Sequence, residues 1–262
     1  MNQKIICCAC GTQFPPNQNV NQPCPVCIDD RQYIPENGQQ WTNHSALLKT
    51  HVCSIQKIQE NIYEIRTEPS FAIGQRAILI VTKNGNVLWD CIPLLDPPTI
   101  EFIRTKGGLK AIAISHPHYY SNMNDWATVF NCPVYIHTND RQWVPDIENI
   151  LFWEGKEQYL FNDIKIINTG GHFPGSCILH IATSPDKPIV LSGDSLQIAR
   201  NKNFISIMHS YPNHIPLPLA EILRIRDLIE PFEFEIMFGA FAFQNIYENA
   251  KDIFIRSMEK YI

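Results

Sequence analysis

The chain has 262 residues, 21 Lys and Arg against 26 Asp and Glu, a net charge of −5 and 45% hydrophobic residues. That size suits one large domain, alone or with a small appendage, and the composition is that of a globular core rather than a disordered or fibrous chain. No apolar run approaches the roughly 20 residues of a membrane span, the apolar patch between Met1 and Cys10 is too short for a signal peptide, and no stretch concentrates Lys and Arg. The expectation is a cytoplasmic protein with no membrane partner and no general nucleic-acid surface.

Residues 1–45 differ from the rest. They are rich in Cys, Pro, Asn and Gln and show neither helical nor strand period. Two C-x-x-C pairs, Cys7/Cys10 and Cys24/Cys27, lie thirteen residues apart. Each tight turn aims two sulfurs at one point, so together they supply the four thiolates of a tetrahedral zinc site. Four protein ligands leave no open position, so the role expected is structural, with the ion's binding energy folding a segment that has little core of its own. Disulfides or idle thiols are the alternative, disfavoured in a reducing compartment. Cys8 is expected to point away from the ion. Modules of this kind leave a protein partner open, and the acidic balance argues against nucleic acid. Gly38–Ser45 reads as a link, which divides the chain into a zinc-ribbon-like segment, 1–45, and a main domain, 46–262. Cys53, Cys91, Cys132 and Cys177 lie in apolar surroundings and read as packed thiols.

From Cys53 the pattern becomes regular. A hairpin turns at Glu60-Asn61, and Lys83-Asn84-Gly85 joins two apolar strands, Ala77–Thr82 and Asn86–Ile92. Pro97-Pro98 opens a helix that Gly107-Gly108 closes. Lys110–Ser115 is a buried strand, a helix covers Asp125–Phe130, and Pro133–His137 is again a strand. Further strands follow at Tyr159–Phe161, Ile164–Asn168, Cys177–Ala182 and Ile189–Ser192. A helix at Leu217–Ile229, a strand at Phe234–Phe238 and a last helix striped by Ile246, Ala250, Ile253, Phe254, Ser257 and Met258 complete the domain. The order predicts a layered α/β protein.

Three strand ends carry metal-type ligands. The first strand runs into His116-Pro117-His118, whose i, i+2 spacing turns both rings to one side. His172 follows Gly170-Gly171 after the second strand, and Asp194 follows Ser192-Gly193 after the third. Loops at one rim of a sheet can bring all four to one ion.

The order H-x-H, G-G-H-x-P-G-S, S-G-D resembles the metallo-β-lactamase superfamily, over about Cys53 to Ile262. The whole chain resembles a branch of it in which a cysteine-rich segment precedes the sandwich. The resemblance implies an αββα fold and a metal held by His116, His118 and His172, with Asp194 in the position that bridges two ions. It also exposes departures. Tyr120 and Ser121 stand where the H-x-H-x-D-H motif has Asp and His, and Gly239-Ala240 where a last His follows the glycine. One site therefore remains and the dinuclear clamp is expected to be lost. His209 and His214 could lean in as substitutes, although a structural role in their Pro-rich loop is the simpler reading. Tyr120 is a candidate to donate to a developing oxyanion, or else fills the vacated space. Asp90 is read as orienting a ligand imidazole, or as a loop cap.

Three neutral imidazoles with an open fourth position form a water-activating zinc site. The expected function is thus a mononuclear hydrolase of an ester, thioester, amide or lactone-type carbonyl in a small-molecule substrate. Its catalytic residues would be Asp194 and Tyr120, and its metal zinc, with iron or manganese as alternatives at the His site. The rival reading is a non-catalytic scaffold or ligand-binding protein that uses the zinc module for interaction. A nuclease role is a distant third, since it calls for the second ion.

Overall fold

The computed structural model describes residues 3–161, 163–182 and 187–262. Two sheets face each other between pairs of helices. The first runs edge to edge as Ile150–Trp153, Val134–His137, Ala111–Ala113, Val87–Trp89, Arg76–Ile80, Ile62–Glu68 and Val52–Gln59. Its first four strands are parallel and the rest antiparallel. The second runs Glu157–Phe161, Ile164–Asn168, Cys177–Ile181, Ile189–Gly193, Ile236–Gly239 and Asn245–Ile246, with a single parallel pair between Ile189–Gly193 and Ile236–Gly239.

The side-chain period of two divides the apolar residues of the central strands among three cores. Ile78, Ile80, Val87, Trp89 and Ala113 of the first sheet meet Ile166, Leu179, Leu191, Ile236 and Phe238 of the second between the sheets. Their neighbours Ala77, Leu79, Leu88 and Ile112 point outward beneath the helices Pro97–Thr105 and Met123–Phe130. Ile167, Ile178, Val190 and Met237 do the same beneath Leu219–Ile229 and Ala250–Met258. Strands apolar on both faces can only be buried on both faces, and an αββα sandwich is the result.

The predicted hairpins and helices are present, with ends shifted by a few residues. The strand Ile150–Trp153, parallel to Val134–His137, is an addition to the predicted elements. Ile246 belongs to an edge strand rather than to the last helix, which begins at Ala250.

The N-terminal segment is not without strands. Ile5–Cys7 pairs with Gln13–Phe14 on one side and Trp41–Thr42 on the other. The stretch read as a link is therefore partly a strand of the module, and Gln39 is bonded to the Cys7 sulfur. The module also packs on the main domain: Lys4 and Gln13 both reach Asp125, and the Gln13 N–H donates to the Ser121 carbonyl.

Candidate metal centres

Cys7, Cys10, Cys24 and Cys27 are all buried and unbridged, and their sulfurs converge. The Cys7–Cys27 and Cys10–Cys24 sulfurs are each 3.7 Å apart. A tetrahedral ion with bonds of about 2.3 Å to sulfur has an edge of about 3.7–3.8 Å, so the cluster already has the spacing of a four-thiolate site. The Gln39 amide donates to the Cys7 sulfur at 3.1 Å, and its oxygen accepts from the Cys24 N–H. Hydrogen bonding with Cys10, Cys24 and Cys27 lowers the Cys7 thiol, whereas Cys24, Cys27, Cys7 and then burial hold Cys10 well above its ordinary value. Four thiolates cannot coexist here unless a cation removes their repulsion. Cys8 stands outside the cluster, on the wall of a neighbouring cavity.

In the main domain His116, His118, His172 and Asp194 bring one ligand atom each to within 4.8 Å of the others. His118 Nδ1 and His172 Nε2 face each other at 3.3 Å, and His116 Nε2 lies 3.7 Å from Asp194 Oδ2. A tetrahedral ion with bonds of about 2.0–2.1 Å to nitrogen has an edge of about 3.3–3.4 Å. His116 Nε2 and Asp194 Oδ1 are buried with no protein hydrogen-bond partner. Orphaned polar atoms at the centre of a cluster are what a bound cation satisfies. The residues fit a metal.

Backbone chemistry brings the loops together. His116 is fully extended, at φ −170°, and begins a 3-10 turn over Pro117–Tyr119. Gly193 sits at φ +52°, and a Cβ there would lie 2.5 Å from Ser115 Oγ, so glycine lets the Asp194 loop close on the residue before His116. Gly171 at φ +82° has the Ile225 side chain 2.7 Å from where its Cβ would be. Ser115 Oγ lies 2.9 Å from His116 Nδ1, and His172 Nδ1 donates to the His209 carbonyl at 2.8 Å, which leaves Nε2 of each ring free to ligate. Burial, then the neighbouring rings, holds His116 and His118 well below the usual imidazole range, and burial lowers His172 to about 3. All three are neutral at pH 7, as ligands must be. Asp194 is pushed up to about 6 by burial, against the pull of the Tyr119 hydroxyl.

Tyr120 lies elsewhere. In a 3-10 turn successive side chains leave the axis about a third of a revolution apart, so Tyr119 and Tyr120 diverge. The Tyr119 hydroxyl donates to Asp194 Oδ2 at 2.6 Å, whereas Tyr120, buried in the core under the helices, donates to the Asp140 carbonyl at 3.3 Å. The phenol at the cluster is thus Tyr119, and the double tyrosine was the only signal for it. Ser121 points to Cys91 and Gln75, and Ala240 is buried with its carbonyl bonded to the Arg76 N–H. Asp90 reaches the site through Ser115, accepting its N–H at 2.7 Å, and burial pushes Asp90 up to about 8. His209 is no substitute ligand: its ring bonds Asp30 at 2.8 Å, and His214 is exposed.

The His/Asp cluster opens into a cavity of about 410 Å³. Its far wall is the N-terminal module, through Cys8, Ala9, Gln32, Tyr33 and Pro35. The main domain contributes Ile73, Tyr211 and Phe241, among others. The cysteine-rich segment is therefore the roof of this site.

Over 261 residues the sequence is 41% identical to the uncharacterized protein YmaE of Bacillus subtilis (strain 168), covering 98% of this chain and 95% of YmaE. The chain belongs to the YmaE family. No family profile matches it. Among solved structures, a B3 metallo-β-lactamase with an active-site glutamic acid superposes with a TM-score of 0.54 at 16% identity, over 94% of this chain and 97% of that one. The DIM-1 metallo-β-lactamase does so with a TM-score of 0.55 at 15% identity, over 80% and 98%. The YmaE family member described here thus has the metallo-β-lactamase fold. None of its described helices is long and apolar enough to cross a membrane.

Proposed function

We propose that the chain is a mononuclear zinc hydrolase that adds water to an ester, thioester, amide or lactone-type carbonyl of a neutral, largely apolar small molecule, with a structural zinc in its cysteine module. The observation that carries this reading is four buried metal-type ligand atoms within 4.8 Å of one another on the floor of a substrate-sized cavity. The ion would be held by His116, His118 and His172, with Asp194 as a fourth ligand of an ion that expands to five, or as the hydrogen-bond partner of the water, and when bound it would supply a Lewis acid and acidify water.

The chain's own groups do the rest. Asp194 is fixed through Oδ2 by Tyr119, with Oδ2 also facing His116 Nε2, and its Oδ1 is buried without a protein partner. Beside the ion it is placed to orient a water by hydrogen bonding. Ala72, Ile73, Pro212 and Phe241 offer apolar surface, and the Gln32 and Gln197 amides offer neutral polar contacts. Among the described residues, those lining the cavity include no Lys or Arg to hold a substrate carboxylate.

The test is metal content followed by a substrate panel. Purified protein should carry two ions per chain, and His118→Ala one. Neutral acyl esters and lactones should turn over, carboxylate-bearing β-lactams should not, and His118→Ala should abolish turnover. Metal-loaded protein inert towards the whole panel favours the scaffold reading instead, to which the positions of Ser121 and Ala240 lend support. A single ion unaffected by His118→Ala would remove the His/Asp site altogether.

A further inference from the structure

Asp30 and Arg31 follow closely on Cys27, at the end of the cysteine cluster, and both bear on His172, Arg31 directly and Asp30 through His209. Arg31 Nε donates to the backbone carbonyl of His172. Its guanidinium lies 4.5 Å over the Phe173 ring and 5.8 Å from Trp143, and its Nη1 is paired with Asp29 at 2.7 Å. The arginine is therefore anchored at one end in the module and at the other on the peptide of a ligand residue. A planar guanidinium combining a stack with directed N–H bonds holds orientation in a way a lysine cannot.

Asp30 acts from the other side of the ring. Its carboxylate takes His209 Nε2 at 2.8 Å, and the His209 carbonyl is the acceptor for His172 Nδ1 at 2.8 Å. The same loop is held along its length. Asn213 donates to the Asp30 and Gln32 carbonyls, both at 3.0 Å, and Ser210 donates to the Arg31 carbonyl at 3.2 Å. His172 is thus gripped at its own carbonyl by Arg31 and at its ring nitrogen by a carbonyl that Asp30 positions.

We infer that Asp30 and Arg31 of the cysteine module are positioning residues for the His/Asp metal centre, so that the module sets the ion affinity of a site to which it contributes no ligand. Groups that orient a ligand histidine typically change metal affinity by about 10–100-fold when removed. The inference rests on the metal reading of the four side chains and not on hydrolysis.

The test uses full-length protein loaded with Co²⁺ and titrated with a competing chelator. Sulfur-to-cobalt charge transfer reports the cysteine site, and the ligand-field bands that remain after subtracting those of His118→Ala report the His/Asp site. Arg31→Ala should weaken the His/Asp ion at least tenfold and shift its ligand-field bands, with the cysteine site retained. Arg31→Lys, which keeps a donor and loses the planar fork, should fall between it and wild type. Asp30→Asn, a change to an exposed carboxylate that leaves the fold intact, should weaken the ion about threefold.

Affinities within twofold of wild type, with unshifted bands, overturn the inference. Should Arg31→Ala also lose the cysteine ion, Arg31→Lys and Asp30→Asn decide by the same criterion. Wild-type protein that takes up only the cysteine-site ion would overturn the metal centre and this inference together, whereas equal affinities overturn this inference alone.

Discussion

The Tyr119 hydroxyl donates to Asp194 Oδ2 at 2.6 Å while Oδ1 of the same carboxylate remains buried and unpartnered. The oxygen that faces His116 Nε2 is thereby fixed, and the other has no protein partner. The hydroxyl also favours the ionised carboxylate, opposing the burial that raises it to about 6. Tyr119→Phe removes that support, so uptake of metal by the apoprotein should require a higher pH than in wild type. At pH 7 the affinity should fall about tenfold. Zn²⁺ binding followed against pH in both proteins checks this, and coincident profiles would show that the phenol is idle.

The cysteine module should depend on its ion for structure. Its strands are two or three residues long and its core is built mostly from the four cysteines with Phe14 and Val26. Cys24→Ser should release one ion per chain and make the segment before Trp41 cleavable by protease, while the sandwich persists. Mass analysis of the fragments after limited digestion reads the result directly.

Asp140 should give the apoprotein a falling stability limb at neutral pH. Its carboxylate is buried, accepts the Gly175 N–H at 2.6 Å, and is pushed up to about 7 by burial. Between its unfolded value near 4 and its folded value near 7, the native state binds more protons than the unfolded state. The slope of unfolding free energy with pH is therefore negative across that window. Asp140→Asn keeps an acceptor for Gly175 and cannot ionise, so it should be more stable than wild type above pH 7, by about 2–4 kcal/mol. Urea melts at pH 5 and pH 8 test the sign, with the difference between the two proteins expected to be larger at the higher pH.

Arg76 should be among the most sensitive positions in the sandwich. It is 1% exposed, pairs with Glu64 at 2.6 Å, and donates to the carbonyls of Gly239 and Gln244 and to the Asn245 side chain. Arg76→Met leaves the buried Glu64 without that partner and strands the three acceptors, a loss of about 3–5 kcal/mol. Equilibrium denaturation gives the value, and a change below about 1 kcal/mol would mean that water replaces the guanidinium.

The layers were legible because a central strand buried on both faces has to be apolar without interruption, as Arg76–Ile80 and Ile189–Gly193 largely are. The four metal-type ligands were legible because each directly follows such a strand or a glycine turn. Tyr119 was missed for a local reason: the choice between adjacent tyrosines depends on the 3-10 turn after His116, which residue spacing does not encode. The roof over the site was missed for a different one. The Arg31–His172 and Asp30–His209 contacts join residues 141 and 179 positions apart, and single polar residues at such separations leave no periodic trace. The module's strands escaped because two or three residues cannot display an alternation.

The roof is made from the first 40 residues of the chain, while its seat, His172 and the 208–214 loop, comes from the last hundred. During synthesis the module therefore lacks part of its seat until residues 208–214 have been made. A nascent chain halted before residue 209 already contains all eight side chains of the two clusters, yet has no His209 to receive Asp30.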